Sequence, residues 1–117
     1  MKSYTDLSQS KTLSKILPHE TADMWFVNGI VVAKDSVNEP DDIKSVFPYW
    51  SLAALLSVLP DRICLDNEKY YLNYKKDKVE YLGPLTWDGQ KCITSKANTL
   101  VDACYEMILK LHELNLL

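Results

Sequence analysis

Apolar positions near the start of the chain have the spacing of one helix face. The residues at i, i+3 and i+4 are Leu13, Ile16 and Leu17. They predict a short amphipathic helix from Thr5 to Leu17, because this spacing places side chains on one side of a helix. Asp6, followed by Gln9 three residues later, suits an N-terminal cap. Pro18 disfavours helical geometry at the residue before it, so we expect the helix to end there.

Two β-prone runs follow the first helix, from Met24 to Val27 and from Ile30 to Ala33. Asn28-Gly29 separates them, and this dipeptide is the strongest short-range signal of a hairpin because both turn residues adopt positive φ. The next stretch, from Lys34 to Ser45, is rich in acidic residues and predicts a surface loop.

Two later segments predict helices. The first lies between Trp50 and Leu59, before a proline, and its apolar face consists of Leu52, Leu55, Leu56 and Leu59. The second is the last segment of the chain, with Asn98 or Thr99 as its cap. Its apolar stripe at 3.6-residue spacing consists of Leu100, Cys104, Met107, Ile108, Leu111 and Leu114.

The middle third of the chain alternates between apolar and polar residues with a period of two, which predicts strands with one buried and one wetter face. The runs are Ile63 to Leu65, Tyr70 to Tyr74 and Lys78 to Leu82, followed by a hairpin of Leu85-Thr86-Trp87, Asp88-Gly89 and Gln90 to Ile93. We therefore predict one α+β domain over residues 1–117. Its expected fold is an antiparallel β-meander of four to six strands, with the C-terminal helix and the second helix packed on one face.

Composition agrees with a single globular domain. The chain has 117 residues, of which 47% are apolar and 25% charged, and no run approaches the ~20 apolar residues of a membrane span. Its net charge of −3 argues against a nucleic-acid partner. The first residues lack the apolar core of a secretory signal. We expect the three cysteines, which form no C-x-x-C pair, to pack as small apolar residues in a reduced, cytoplasmic protein.

One stretch has a metal-ligand pattern, His19-Glu20-Thr21-Ala22-Asp23. It resembles the zinc-protease motif H-E-x-x-H, but Asp23 stands where the second histidine belongs. A catalytic zinc also needs a third protein ligand, and His112 is the only other histidine. We therefore interpret the stretch as a capped or solvated turn.

Other catalytic constellations are absent from the sequence. Cys104 and His112 lie two helical turns apart, about 12 Å, which exceeds the reach between a nucleophile and its base. The acidic segment Glu39 to Asp42 lacks the spacing of a calcium loop, and no glycine-rich phosphate loop occurs. We predict no catalytic, cofactor-binding or metal-binding residue, no cofactor and a protein that is not an enzyme.

Two surfaces could bind a partner. A second stripe on the last helix lies roughly 100° from its apolar face and consists of Tyr105, Leu109, His112 and Leu116. Exposed apolar helix faces often mark contacts, so the first hypothesis is a protein partner or a homo-oligomer formed through this flank. The alternative is that a loop or the first helix covers it.

The second surface depends on tyrosines in the predicted strands, which are Tyr70, Tyr71, Tyr74 and Tyr81. Sheets that stack single-stranded bases carry aromatic residues among basic ones. Several lysines lie nearby, but neighbouring acidic residues largely offset them. A nucleic-acid-binding accessory protein is therefore the alternative function, and a sheet packed by its own helices is the expectation that we favour.

Three segments carry a resemblance to known proteins. They are Leu17 to Met24, Trp50 to Pro60 and Val101 to Ile108. In this order and spacing they resemble small proteins of unknown function encoded by phages and prophages of gut Bacteroidetes. The resemblance implies a mobile-element protein in a bacterial cytoplasm, and it brings no activity, cofactor or site residue. We expect a small non-enzymatic interaction protein.

Overall fold

A computed structural model describes residues 2–27, 29–34 and 46–117. The elements in chain order are α1 (Leu7–Ile16), a 3-10 turn (His19–Thr21), β1 (Met24–Val27), β2 (Ile30–Ala33), β3 (Val46–Tyr49), α2 (Leu52–Val58), β4 (Arg62–Leu65), β5 (Glu68–Lys75), β6 (Lys78–Thr86), β7 (Gly89–Lys96) and α3 (Leu100–Glu113). The predicted α+β class, with its C-terminal helix and four-stranded antiparallel meander, is confirmed.

Polar side chains cap the three helices, and at the first and last helix the capping residues are among those that the sequence predicts. At α1 the Gln9 backbone N–H donates to Asp6 Oδ1 over 2.8 Å, and the Asp6 N–H donates to Gln9 Oε1 over 3.1 Å. Ser51 accepts from the first turn of α2. At α3 the capping residue is Thr99, whose Oγ1 accepts from the Asp102 N–H over 3.1 Å. These bonds satisfy amide groups that a helix start otherwise leaves without partners.

The strands form two antiparallel sheets rather than one, in the orders β2-β1-β3 and β4-β5-β6-β7. The predicted hairpin of β1 and β2 is present, with Val27 opposite Ile30 and Gly29 at φ +82°. Asn28 and residues 35–45, which include most of the predicted acidic loop, lie outside the described residues. The pattern did not predict β3, because Pro48 interrupts its β-prone residues. Proline is tolerated there since β3 is an edge strand.

Tight turns join the four strands of the meander. Asp66 and Asn67, between β4 and β5, both have positive φ, at 52° and 66°. The third turn differs from the prediction by one residue, because Gly89 pairs with Thr86 and the turn therefore consists of Trp87 and Asp88. The two predicted runs before this turn also join into one continuous strand, β6.

The main core lies where α3 packs against β6, β7 and α2. The fully buried side chains of α3 are those of Val101, Ala103, Cys104, Met107, Ile108 and Leu111. Tyr81 is equally buried, and its hydroxyl donates to the Pro60 carbonyl over 2.7 Å. Leu114, predicted to continue the stripe, is 43% exposed because α3 ends at the preceding residue. None of the described helices is long and apolar enough to cross a bilayer.

Candidate nucleic-acid interface

The four-stranded meander has two unlike faces. The residues on the inner face, toward α3, include Ile63, Tyr70, Leu72, Val79, Tyr81, Ile93 and Ser95. We call the opposite side the open face. Its residues are Arg62, Cys64, Lys69, Tyr71, Asn73, Lys75, Lys78, Glu80, Leu82, Cys92, Thr94 and Lys96. Most of the latter are exposed, since residues alternate between faces along each strand.

Charge on the open face is opposite in sign to that of the whole chain. The chain has 13 basic and 16 acidic residues. Five of the basic residues and one acidic residue belong to the open face. The five are Arg62, Lys69, Lys75, Lys78 and Lys96. The register therefore concentrates positive charge on one side of an acidic protein.

Three of these lysines align directly across three strands. Lys75 lies opposite Lys78, and Lys78 lies opposite Lys96. We call this group the lysine row. Like charges directly opposite each other destabilise a sheet, so the row costs folding free energy when no anion is bound.

Among the described residues, one carboxylate lies within ion-pair distance of the lysine row. Glu80, whose side chain is 11% exposed, lies 3.5 Å from Lys78 Nζ and accepts from Asn73 Nδ2 over 3.0 Å. Lys75 and Lys96 form no ion pair within the described part of the chain. Two of the three ammonium groups are therefore available to an external anion.

The structure separates the four predicted base-stacking tyrosines. Tyr71, with 54% of its surface exposed, lies in the middle of the open face between Arg62 and Leu82. Tyr70 and Tyr81 face α3 and are 7% and 0% exposed, so the prediction is wrong for them. Tyr74 is half-exposed, but on the inner side at the end of β5. Adjacent strand residues point to opposite faces, which leaves Tyr71 alone on the open one.

The predicted interface on the flank of α3 is only partly accessible. Tyr105, Leu109 and Leu116 are half-buried, and His112 is exposed. Tyr105 and Leu116 pack against the edge of the core. The more exposed apolar side chains in this region belong to Leu114 and Leu117, which follow the helix.

The segment with the metal-ligand pattern, His19 to Asp23, is hydrogen-bonded to residues before α2. Thr21 Oγ1 accepts from Trp50 Nε1 over 2.9 Å, and the Asp23 carboxylate accepts from the backbone N–H and the hydroxyl of Ser51. Among the described residues no three histidine, cysteine or acidic side chains are grouped so that they could hold a metal ion. Thr21 and Asp23 therefore hold Trp50 and Ser51, the two residues that precede α2.

The cysteines do not share one environment. Cys104 is fully buried as predicted, and burial raises the pKa of its thiol to about 12. Cys64 and Cys92 are exposed, so the expectation that all three pack in the interior is wrong. Both lie on the open face, where no helix covers them in the described structure. A thiol with the pKa of Cys104 is not a nucleophile at neutral pH.

Sequence reasoning missed parts of this surface. Arg62 and Lys96 lie on the two edge strands, 34 positions apart in the chain, and only the register brings them onto one face. Leu85 and Trp87, which are 80% and 94% exposed, belong to the tip of the β6–β7 hairpin. Period-two alternation places Tyr70 and Tyr71 on opposite faces of the sheet, but it does not show which of the two faces α3 covers.

Comparisons with known proteins add no family or relative to this picture. No protein-family model, no curated protein and no solved structure matches the chain. The arrangement of charge and aromatic surface on the open face is therefore the basis for assigning a function.

Proposed function

We propose that this chain is a non-enzymatic binding protein that takes single-stranded nucleic acid on the open face of its meander. The lysine row carries the proposal, because three cations aligned across a sheet are stabilised when phosphates lie against them. In the setting that the resemblance implies, a phage or prophage of gut Bacteroidetes, such a protein would act as an accessory factor.

The shape of the face favours single strands over duplexes. Tyr71 presents an exposed ring in the middle of a sheet surface, and unstacked bases of a single strand can lie on such a ring. Tyr71 and Lys75 are four positions apart in β5, which corresponds to about 13 Å along the strand. A base on Tyr71 and phosphates at the lysine row can therefore belong to the same short segment.

The overall acidity of the chain does not oppose this proposal. Net charge averages over the whole molecule, whereas a polyanion responds to the potential of the surface that it approaches. The open face has five basic residues against one partly buried carboxylate. The positive charge of the open face, rather than the net charge of −3, is therefore what a nucleic acid would meet there.

Fluorescence anisotropy with labelled single-stranded oligonucleotides tests the proposal. We expect binding to oligo-dT or oligo-U at low salt, with log K falling against log salt with a slope of about −2 if three phosphates are neutralised. Parallel titrations with the two oligomers distinguish DNA from RNA, and a duplex of the same length should bind more weakly.

A pair of charge-matched variants localises the site. Replacing Lys75 and Lys96 with serine should weaken binding at least tenfold and reduce the salt slope by more than one. Replacing Lys11 and Lys15 of α1 with serine removes the same charge from another surface and should change affinity less than twofold. Absence of binding at low salt, or equal losses in the two variants, would overturn the proposal.

Self-association through the end of α3 is the second candidate. Leu114 and Leu117 are 43% and 42% exposed, beside the half-buried Leu109. Light scattering should then give a mass above 13.4 kDa for the wild type and the monomeric mass for Leu109→Glu. A monomeric mass for both proteins would refute this candidate.

A further inference from the structure

The tip of the β6–β7 hairpin exposes two large apolar side chains that the fold does not use. Leu85 is 80% and Trp87 94% exposed. Pairing of Thr86 with Gly89 closes the hairpin, and Thr86 Oγ1 donates to the Gly89 carbonyl over 2.8 Å. The backbone therefore holds Trp87 in the turn of a closed hairpin, although its ring gains no burial from folding.

A bulge in β6 turns Leu85 toward the open face. Leu82 pairs with Cys92 and Leu85 with Gln90, so β6 has two residues between these pairs where β7 has one. In an uninterrupted strand Leu85 would lie on the inner face, because it is an odd number of residues from Leu82. The extra residue reverses this, as bulges commonly do when they redirect a side chain.

We propose that Leu85 and Trp87 form a second contact for the same single strand, with Trp87 stacking on a base. The inference rests on the proposed function. It is supported by continuity, because the bulge places Leu85 on the face that carries Tyr71 and the lysine row. A protein partner is the competing occupant of this tip, and the experiments below separate the two.

The proposal defines a path for the nucleic acid along β6. Lys78 and Trp87 are nine positions apart, or about 30 Å along an extended strand. A short oligonucleotide would reach either the lysine row or the tip, whereas a longer one would contact both. Affinity should therefore rise with length until the strand spans this distance.

Intrinsic fluorescence reports directly on stacking at the tip. Trp50 is fully buried and Trp25 half-buried, so Trp87 is the tryptophan most accessible to a base. Titration with a dT12 oligonucleotide should quench the emission of the wild type. In Trp87→Phe the quenching should disappear while anisotropy shows affinity within about threefold of the wild type, because the aromatic ring is kept.

Removal of the ring gives the energetic test. Trp87→Ala should weaken dT12 binding by about 5- to 150-fold, the range expected for loss of one base–aromatic stack. It should have a much smaller effect on an oligonucleotide too short to extend from the lysine row to the tip, because such an oligonucleotide can bind at the row without contacting Trp87. Ile30→Ala is the matched control, since Ile30 is 64% exposed on the other sheet and should have no effect.

The outcomes distinguish this inference from the proposed function. The proposed function stands if the wild type binds dT12 and the Lys75/Lys96 variant binds it weakly. In that case the tip proposal is overturned if dT12 does not quench the wild-type emission and Trp87→Ala binds dT12 with wild-type affinity. If Trp87→Ala instead lowers the mass in light scattering, the tip is a protein contact and the proposal is also overturned. Unchanged far-UV circular dichroism in both Trp87 variants establishes that the hairpin remains folded.

Discussion

Substitution of Gly83 by alanine tests the register that assigns residues to the two faces of the meander. Gly83 lies on the inner side of β6 against the ring of Tyr70. A Cβ at this position would be 2.5 Å from Tyr70 Cε2, 2.8 Å from Cδ2 and 2.9 Å from Cζ. Carbon atoms in optimal contact are about 3.5–4.0 Å apart. Because Tyr70 is only 7% exposed, its ring cannot move into solvent without losing burial.

The expected cost follows from two opposing terms. An extra methyl in a packed site destabilises a protein by about 1–3 kcal/mol. Replacing glycine by alanine stabilises the folded state by about 0.5–1 kcal/mol, because alanine lowers the conformational entropy of the unfolded chain. The net loss should therefore be about 1–2 kcal/mol, which lowers the urea midpoint without changing the slope of the transition.

A double-mutant cycle assigns this loss to the Tyr70 ring. Urea denaturation followed by circular dichroism is measured for the wild type, Gly83→Ala, Tyr70→Val and the double variant. In the Tyr70→Val background the alanine should cost nothing, which gives a coupling of about 1 kcal/mol or more. If Gly83→Ala unfolds at the wild-type midpoint, or if the two effects add, Tyr70 does not face Gly83 and Tyr71 loses its assignment to the open face.

Three further measurements probe other parts of the fold. In a thiol titration of the native protein, the two exposed cysteines should react at neutral pH, whereas Cys104 should react only after unfolding, because burial raises its pKa to about 12. Rapid reaction of all three thiols in the native protein would contradict the packing of α3. For Asp102, burial raises the carboxyl pKa but hydrogen bonds, led by that of Lys2, outweigh it, so the folded-state pKa is lowered. Asp102→Asn should therefore cost about 0.5–1 kcal/mol at pH 7, since the pair is partly exposed. This cost should shrink as the pH falls below the unfolded pKa of about 3.9 and through the lower folded value; an equal cost at pH 7 and pH 3 would refute it. Thr99→Ala should lower the free energy of unfolding by about 1 kcal/mol and Asn98→Ala by much less, because Thr99 provides the cap; equal losses would assign the cap to both residues.

Elements that depend on neighbours in the chain were predictable from the sequence. The capping pair of Asp6 and Gln9, the β1–β2 hairpin and the apolar stripe of α3 all involve residues within a few positions of one another. Capping, turn geometry and 3.6-residue periodicity act over these short separations. For the same reason the α+β class and the existence of a meander followed from the pattern.

The candidate site needed the tertiary structure, because cross-strand pairing sets its composition. Lys78 and Lys96 belong to different strands, and only the register places them side by side. Periodicity distinguishes Tyr70 from Tyr71, but it does not say which side α3 covers. The bulge that places Leu85 on the face of the sheet that carries the lysine row cannot be read from the pattern either, since a single extra residue reverses the face. The sequence by itself therefore determined the elements and their amphipathic sides, whereas packing and register decided which charges and aromatic rings share a surface.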